Sequence, residues 1–297
     1  MRVMNTFGIP WPALVRGNTF LRACWRGLAQ VYFQSDVFTG MAFFAILVLA
    51  APLVGLGGAL GSVVATATAG ALRLPRRALR TGLYGYNGAL TGIALAALFE
   101  PGIALAVWLV ITAAASVALT HLLLARRVPA LTGPFVGIML LTMAYAPALG
   151  LAQRHLLGTG CQPSDLGFVF CSIGQVVFVA PLVLGLLLTY ILAVRDARTT
   201  GWAMLGTLLV WAGAAVLGPG WPALAAQIGG IGVNSFLAAL GLGMFGFNVP
   251  ARIAGAIAAS LLCLLFGALA WPYFTLPFNL AVWGLWLLRE RSRRMAR

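Results

Sequence analysis

The sequence predicts an all-α integral membrane protein with ten transmembrane helices and two re-entrant half-helices, arranged as two inverted five-span repeats. Three observations support this fold class: the composition, the distribution of arginine and an internal repeat. The 297 residues are 62% hydrophobic and 8% charged, whereas a soluble domain carries about 25% charged residues. A chain this apolar cannot cover a water-facing surface, so we expect it to lie in a bilayer.

The long apolar segments define the ten spans. Residues 37–72 carry no charge and are too long for one span, so Pro52 and the glycines after it are expected to form a tight turn between two spans; these glycines are Gly55, Gly57 and Gly58. The other predicted spans are residues 81–99, 101–120, 128–150, 181–194, 199–218, 223–248, 253–270 and 273–288. Residues 18–34 and 164–179 are short and partly polar, so each is predicted to be a half-helix buried in protein or lining a cavity.

Arginine sets the predicted orientation. All 19 basic residues are arginine, and with the N-terminus inside only Arg154 lies outside, as the positive-inside rule requires. The formal charge of +14 is therefore explained without nucleic acid as a partner. We expect a multi-pass protein of the cell inner membrane with both termini cytoplasmic. Its predicted parts are a cytoplasmic segment (1–19), a first repeat (20–150), an extracytoplasmic connection (151–163), a second repeat (164–288) and a basic cytoplasmic tail (289–297).

An internal repeat relates the two halves. Three strings match in order: Gln30-Val31-x-Phe33 with Gln175-Val176-x-Phe178, GLYGYNGALTGIAL (82–95) with GGIGVNSFLAALGL (229–242), and PALTGPF (129–135) with PYFTLPF (272–278). Their offsets are 145, 147 and 143 residues. Because each half has an odd number of spans, the second is expected to be inverted, and such repeats place a permeation site near the midplane at their interface.

The polar residues of these strings are the candidate site. Gln30 and Gln175 either bond neighbouring helices or line a pore, and their matched positions favour the pore. Phe33 and Phe178 accompany them as candidate aromatic walls. Asn87 and Asn234 are expected to tie backbone together. Two matched threonines, Thr132 and Thr275, stand at predicted Thr-x-Pro breaks of the helices. At each break, either free carbonyls accept bonds from a solute or the threonine hydroxyl stabilises a kink.

Several functions lack the residues that they need. The five acidic residues fall at predicted helix ends or loops, and Asp36 is predicted to cap a helix, so ion coupling lacks a carboxylate within a span. His121, His155 and the four cysteines show no metal or catalytic spacing, so we expect neither cofactor nor enzyme activity. Two free thiols at Cys161 and Cys171 are favoured over a disulfide. What remains is an uncharged path with aromatic walls and hydrogen-bonding groups, which suits a small, flat, neutral solute.

In these residues the chain resembles the urea transporter family, over nearly the whole sequence after residue 20. The strings that carry the resemblance are LAQVYFQSDVFTG, GLYGYNGALTGIAL, IGQVVF and FTLPFNLAVWGLWLL. The resemblance implies ten spans, two half-helices and an inverted repeat. It also implies a homotrimer in the lipid membrane, in which each protomer carries a pore that conducts urea passively.

The resemblance also implies roles for single residues. Gln30 and Gln175 would border the two ends of a selectivity filter, and Thr132 and Thr275 would supply oxygens near its middle. The first slot for urea would consist of Val31, Phe33, Tyr86 and Leu90. The second slot would consist of Val176, Phe178, Val233 and Leu237.

One position departs from the family pattern. The family has an aromatic residue before the asparagine of both long strings, whereas this chain has Val233 in the second half. The second slot is therefore expected to be wider. This leaves open a channel for another small neutral solute, such as a short amide, ammonia or water. The missing carboxylates argue against a coupled transporter, and the missing catalytic residues argue against a membrane enzyme.

Overall fold

The computed structural model of the chain describes residues 18–154, 167–179, 181–217 and 222–295. Over these ranges the secondary structure is helical, with one isolated bridge between Phe99 and Gln153. The helices of the first half are α1 Thr19–Gln30, α2 Val37–Ala50, α3 Pro52–Ala71, α4 Arg76–Arg80, α5 Gly85–Leu98, α6 Ile103–Ala125 and α7 Gly133–Tyr145. Those of the second half are α8 Gly167–Gln175, α9 Leu182–Leu217, α10 Pro222–Met244, α11 Val249–Ala268 and α12 Leu276–Met295.

Several of these helices suit a membrane. Among the described residues, five helical segments are long and apolar enough to cross one: Pro52–Ala71, Ile103–Ala125, Leu182–Val216, Gln227–Met244 and Val249–Ala268. The helix α9 is broken at Asp196, where the backbone is extended with φ −152° and ψ 82°. The break lies in the charged stretch that the sequence placed between two spans. The all-helical membrane class is supported, and the ten-span arrangement stays a prediction.

The division of residues 37–72 is confirmed, but its chemistry differs from the expectation. Asp36 accepts a hydrogen bond from the Thr39 amide at 2.9 Å and so caps α2, as predicted. The helix ends at Ala50, and α3 starts at Pro52, where a missing N–H costs nothing. The glycines after Pro52 lie inside α3 rather than in a turn, because they serve helix packing.

Glycines let α3 and α5 cross at backbone contact. A Cβ atom on Gly61 would collide with the Gly88 carbonyl, and one on Gly92 would collide with the Gly57 carbonyl. Both helices therefore carry small residues four apart, the spacing that lets membrane helices approach closely. The first long string of the repeat is held by this crossing, since α5 contains most of it.

Two short helices occupy the segments predicted to be half-helices. The helix α1 has 12 residues and α8 has 9, so neither reaches the length of a span. Asn18 caps α1 by accepting bonds from the Phe20 and Leu21 amides at 3.0 and 3.1 Å. The lengths agree with the prediction, and the depth of these helices in the membrane stays a prediction.

Arginine guanidinium groups close the C-terminal ends of α5 and α10. Arg154 donates to the Ala96 carbonyl at 3.2 Å and lies 3.7 Å from Glu100. Arg289 donates to the Phe245 carbonyl at 2.8 Å, and its guanidinium carbon lies 3.9 Å from the Phe247 ring centroid. Cations at these ends satisfy terminal carbonyls and oppose the negative end of the helix dipole.

The chain divides into two compact units. The first unit comprises Met1–Leu122 and Tyr145–Arg154, and the second comprises Leu123–Ala144 and His155–Arg297. The segment Leu123–Ala144 lies within the first predicted repeat in sequence and within the second unit in packing. Thr132 is therefore described below together with the second half.

We expect Gly61→Ala to destabilise the protein, because its Cβ would meet the Gly88 carbonyl. Overpacking of this kind costs about 1–3 kcal/mol. The matched control is Gly70→Ala in the same helix, where a Cβ would meet no atom within 4 Å. Thermal unfolding in detergent should show a lower midpoint for Gly61→Ala only, and equal midpoints would contradict this account of the crossing.

Candidate functional site

The first Gln-Val-x-Phe unit is a helix end. The Phe33 amide donates to the Gln30 carbonyl at 2.9 Å, and the Gln34 amide donates to the Ala29 carbonyl at 3.1 Å. This pair of bonds is the Schellman motif, which satisfies two of the last carbonyls of α1. Phe33 occupies the position after the helix cap with φ 60°, in the left-handed region.

The second unit ends α8 in the same way. The Phe178 amide donates to the Gln175 carbonyl at 3.0 Å, and the Val179 amide donates to the Gly174 carbonyl at 3.1 Å. Phe178 has φ 58°. The structure therefore repeats the bonds and the backbone conformation of the first unit, although the residues around the two units differ.

Phenylalanine is an unusual residue for this position. Glycine is the common residue there because it has no Cβ, and a side chain in the left-handed region costs about 1–2 kcal/mol. Phe33 and Phe178 share this conformation with five other non-glycine residues of the described ranges, so the backbone alone assigns no role to the two rings; these residues are Arg73, Arg127, Leu131, Ala270 and Phe274. Both rings are half-buried, while Val31 and Val176 beside them are buried.

Each glutamine lies against the start of the long string in its own half. The Gln30 side-chain amide donates to the Thr81 carbonyl at 3.1 Å, directly before Gly82. The Gln175 Oε1 atom lies against Gly229, at 3.2 Å from where a Cβ of that glycine would stand. Gly82 and Gly229 are aligned in the repeat, so the two glutamines occupy corresponding places. Both glutamines are half-buried.

The elements that carry each slot pack together. The helix α1 contacts α5, and α8 contacts α10. At the first contact Gly27 lies against the Gly85 backbone, and at the second Ser172 lies against Gly232. Tyr86 and Leu90 of the first slot are buried, as is Leu237 of the second, and Val233 is half-buried. These positions place the slot residues on paired helices in each unit, and their roles stay predictions.

The two threonines stand at helix starts rather than at kinks. A tight turn precedes each: the Gly133 amide donates to the Ala130 carbonyl at 3.1 Å, and the Leu276 amide donates to the Tyr273 carbonyl at 2.7 Å. The prolines that follow the threonines fall in the first turns of α7 and α12, where no N–H is needed. Neither geometry expected from the sequence, a free carbonyl at a break or a kink, describes this arrangement.

The threonine hydroxyls are joined to each other and to a residue that the sequence analysis missed. Thr132 Oγ1 and Thr275 Oγ1 are 2.7 Å apart. The Asn279 side-chain nitrogen donates to Thr132 Oγ1 at 2.9 Å and to the Thr275 carbonyl at 2.9 Å. A polar residue four positions after Thr275 in an apolar run is the signal that was available for Asn279.

Asn234 ties backbone together, which confirms the expectation for this residue. Its side-chain nitrogen donates to the Phe274 carbonyl at 3.0 Å, and its oxygen accepts from the Phe278 amide at 2.9 Å. It thus clamps the turn that carries Thr275. In the first unit, the Asn87 side chain donates to Thr120 Oγ1 at 3.3 Å.

Among the described carboxylates, Asp36, Glu100 and Asp196 lie at helix boundaries or breaks, and Glu290 lies in the charged final turns of α12. Asp196 accepts from the Thr199 amide at 2.9 Å, and Glu290 lies 3.3 Å from the Arg293 guanidinium. Over the same ranges no cluster of three or more histidine, cysteine or acidic residues is placed to hold a metal. Cys171 is disulfide-bonded, so the expectation of a free thiol there is wrong, and Cys161 lies outside the described residues.

The described part of the chain is helical and contains five segments able to cross a membrane, with apolar side chains exposed around them. These features are those of a multi-pass membrane protein. The family model described as urea transporter matches residues 21–290. The chain therefore belongs to the urea transporter family.

Curated relatives match a shorter part of the chain. Urea transporter 1 of Ovis aries is 39% identical over 77 residues, which is 26% of this chain and 20% of that protein. Urea transporter 1 of Rattus norvegicus is 40% identical over 77 residues, with the same shares. The matched region thus spans about a fifth of these relatives.

The strain at Phe33 can be separated from the function of its ring. Phe33→Gly and Phe33→Ala both delete the ring, and only glycine tolerates the φ of 60° without cost. We expect the alanine variant to be the less stable, by about 1 kcal/mol, as measured by thermal unfolding in detergent. Equal midpoints would show that the left-handed conformation is not maintained in solution.

Proposed function

We propose that this protein conducts urea passively across a membrane, and that the first and second slots are its selective elements. The matched helix ends carry the proposal. In both halves a half-buried phenylalanine is held in a strained conformation beside a half-buried glutamine. Membership of the urea transporter family supports urea as the solute. The proposal includes a single path for urea that both slots line.

The ends of α1 and α8 suit a solute that is rich in donors. A helix C-terminus presents carbonyl oxygens and a partial negative charge. Urea has four N–H donors around one plane and a single carbonyl acceptor. Glutamine oxygens and terminal carbonyls can accept its N–H groups, and the aromatic faces can cover its plane. The same negative ends disfavour anions.

Transport without coupling fits the distribution of charge. The described carboxylates cap helices or pair with arginine. A proton relay or a cation site within a span uses carboxylates that face the bundle interior. We therefore propose that urea moves down its own gradient and that no ion gradient drives it.

The remaining features of the proposal come from the family. We propose a homotrimer in the cell inner membrane, with one pore in each protomer and both termini in the cytoplasm. The ten spans and the inverted relation of the two repeats belong to this proposal as well.

Stopped-flow light scattering on proteoliposomes tests the activity. With a urea gradient and no ion gradient, we expect saturable entry well above that of empty liposomes. Gln30→Ala and Phe33→Ala should each lower the urea flux at least several-fold, because they remove an acceptor and an aromatic wall, and Phe178→Ala should act similarly. Ser260→Ala is the matched control, since within the described ranges its hydroxyl bonds to the Ala256 carbonyl of its own helix and lies outside both slots.

Three results would contradict parts of the proposal. Entry at the rate of empty liposomes in the wild type would exclude urea conduction by this protein. Unchanged urea flux in both Gln30→Ala and Phe33→Ala would be compatible with urea conduction but would contradict the assignment of the slots. A flux that depends on a pH or sodium gradient would favour a coupled transporter.

A second candidate is a channel of the same construction for a short amide, ammonia or water, and Val233 favours it. Its side chain is half-buried and smaller than an aromatic ring. We expect Val233→Phe to narrow the second slot and to raise the ratio of urea to acetamide permeability, measured in the same proteoliposomes. A ratio of urea to acetamide permeability that is lower in Val233→Phe than in the wild type would favour the second candidate. Acetamide entry that exceeds urea entry in the wild type would do the same.

A further inference from the structure

The orientation of the Asn279 amide is determined by two backbone groups. Its oxygen accepts from the Thr132 amide at 3.1 Å, and its nitrogen donates to the Thr275 carbonyl at 2.9 Å. An N–H requires an acceptor and a carbonyl requires a donor, so exchanging the oxygen and the nitrogen would lose both bonds. Asn279 is fully buried, so no water replaces these partners.

This orientation in turn favours one direction of the bond between the two hydroxyls. The second hydrogen of the Asn279 nitrogen points to Thr132 Oγ1 at 2.9 Å, which makes that oxygen an acceptor. The Thr132 hydroxyl hydrogen then has two acceptors within reach. Thr275 Oγ1 is 2.7 Å away, whereas Asn279 Oδ1 is 3.3 Å away and already accepts the Thr132 amide. The more distant of the two acceptors is already engaged, so the arrangement favours Thr132 as the donor to Thr275.

One hydrogen of the cluster is then left over. Thr275 Oγ1 accepts from Thr132, and its own hydrogen is not used by Thr132 or Asn279. We propose that Asn279 is a positioning residue that orients the hydroxyl pair so that Thr275 offers its hydrogen to the carbonyl oxygen of the permeating solute. The assignment rests on the proposed function, because it requires that a carbonyl solute passes these threonines.

The arrangement has no counterpart in the first half of the repeat. At the offset of 143 residues that aligns the two threonines, Asn279 matches Val136. A valine cannot bond to either hydroxyl. One asparagine, present in the second half alone at this aligned position, therefore biases the direction of a bond between two otherwise matched threonines.

The test compares urea with thiourea, whose sulfur is a far weaker acceptor than the urea oxygen. Permeabilities are measured in proteoliposomes for the wild type and for Asn279→Val, which takes the residue of the first half. With both directions of the hydroxyl bond open, we expect the ratio of urea to thiourea permeability to fall about twofold to tenfold, the range of one hydrogen bond. Thr275→Val should lower the ratio similarly, because it removes the donor.

A second background distinguishes positioning from general damage. In Thr132→Val the hydroxyl through which Asn279 acts is gone, so adding Asn279→Val should not lower the ratio further. A purely structural role would lower the thermal midpoint and both permeabilities together and leave the ratio unchanged. Ser260→Ala, which deletes a buried hydroxyl of the same unit outside the cluster, should keep the wild-type ratio.

The outcomes separate this assignment from the proposed function. A normal wild-type urea flux with an unchanged ratio in Asn279→Val overturns the assignment alone. Wild-type urea entry at the rate of empty liposomes overturns the proposed function and the assignment with it. If Asn279→Val does not fold, the same permeabilities are measured for Asn279→Ser and Thr275→Val. A wild-type ratio of urea to thiourea permeability in Thr275→Val overturns the assignment.

Discussion

A helix that ends among apolar side chains leaves amide and carbonyl groups that no water can satisfy, and the described parts of this protein are organised around that constraint. Schellman bonds close α1 and α8. Arginine side chains close α5 and α10. Two buried asparagines satisfy the backbone around the start of α12. The proposed site uses the ends of α1 and α8 and the start of α12, because a helix terminus is also where a membrane protein has oxygens to offer a solute.

The fold class and the helix pattern were largely accessible from the sequence, because apolar length, proline and charge act locally. Pro52 and Asp36 predicted a helix boundary and a cap correctly. The glycines after Pro52 do not form the predicted turn, because the helix that they pack against is distant in sequence: Gly57, for example, lies against the Gly92 backbone. The contacts of Asn279 were not predicted for the same reason, because they depend on Thr132, which lies 147 residues away. The left-handed conformation of Phe33 contradicts the preference of its residue type, so no local rule predicts it.

The chemistry of the candidate site favours a neutral donor over an ion. Terminal carbonyls, glutamine oxygens and aromatic faces suit N–H groups, while the described carboxylates are engaged in caps and ion pairs. The second slot has less aromatic surface than the first because of Val233, so discrimination in this chain is expected to depend more on hydrogen bonding than on ring stacking. The threonine and asparagine cluster would then matter more here than in a chain with two aromatic slots.

The bond between Trp283 and the Pro129 carbonyl, 2.8 Å long across 154 residues, has a consequence for synthesis. At a synthesis rate of about 5–20 residues per second, the start of α7 is made roughly 8–30 s before the residue of α12 that bonds to it. The crossing of α3 and α5 uses only early residues and can form during that interval. The order of assembly is therefore expected to differ from the order of the repeats. The helix α12 completes the packing around the start of α7, which is synthesised much earlier.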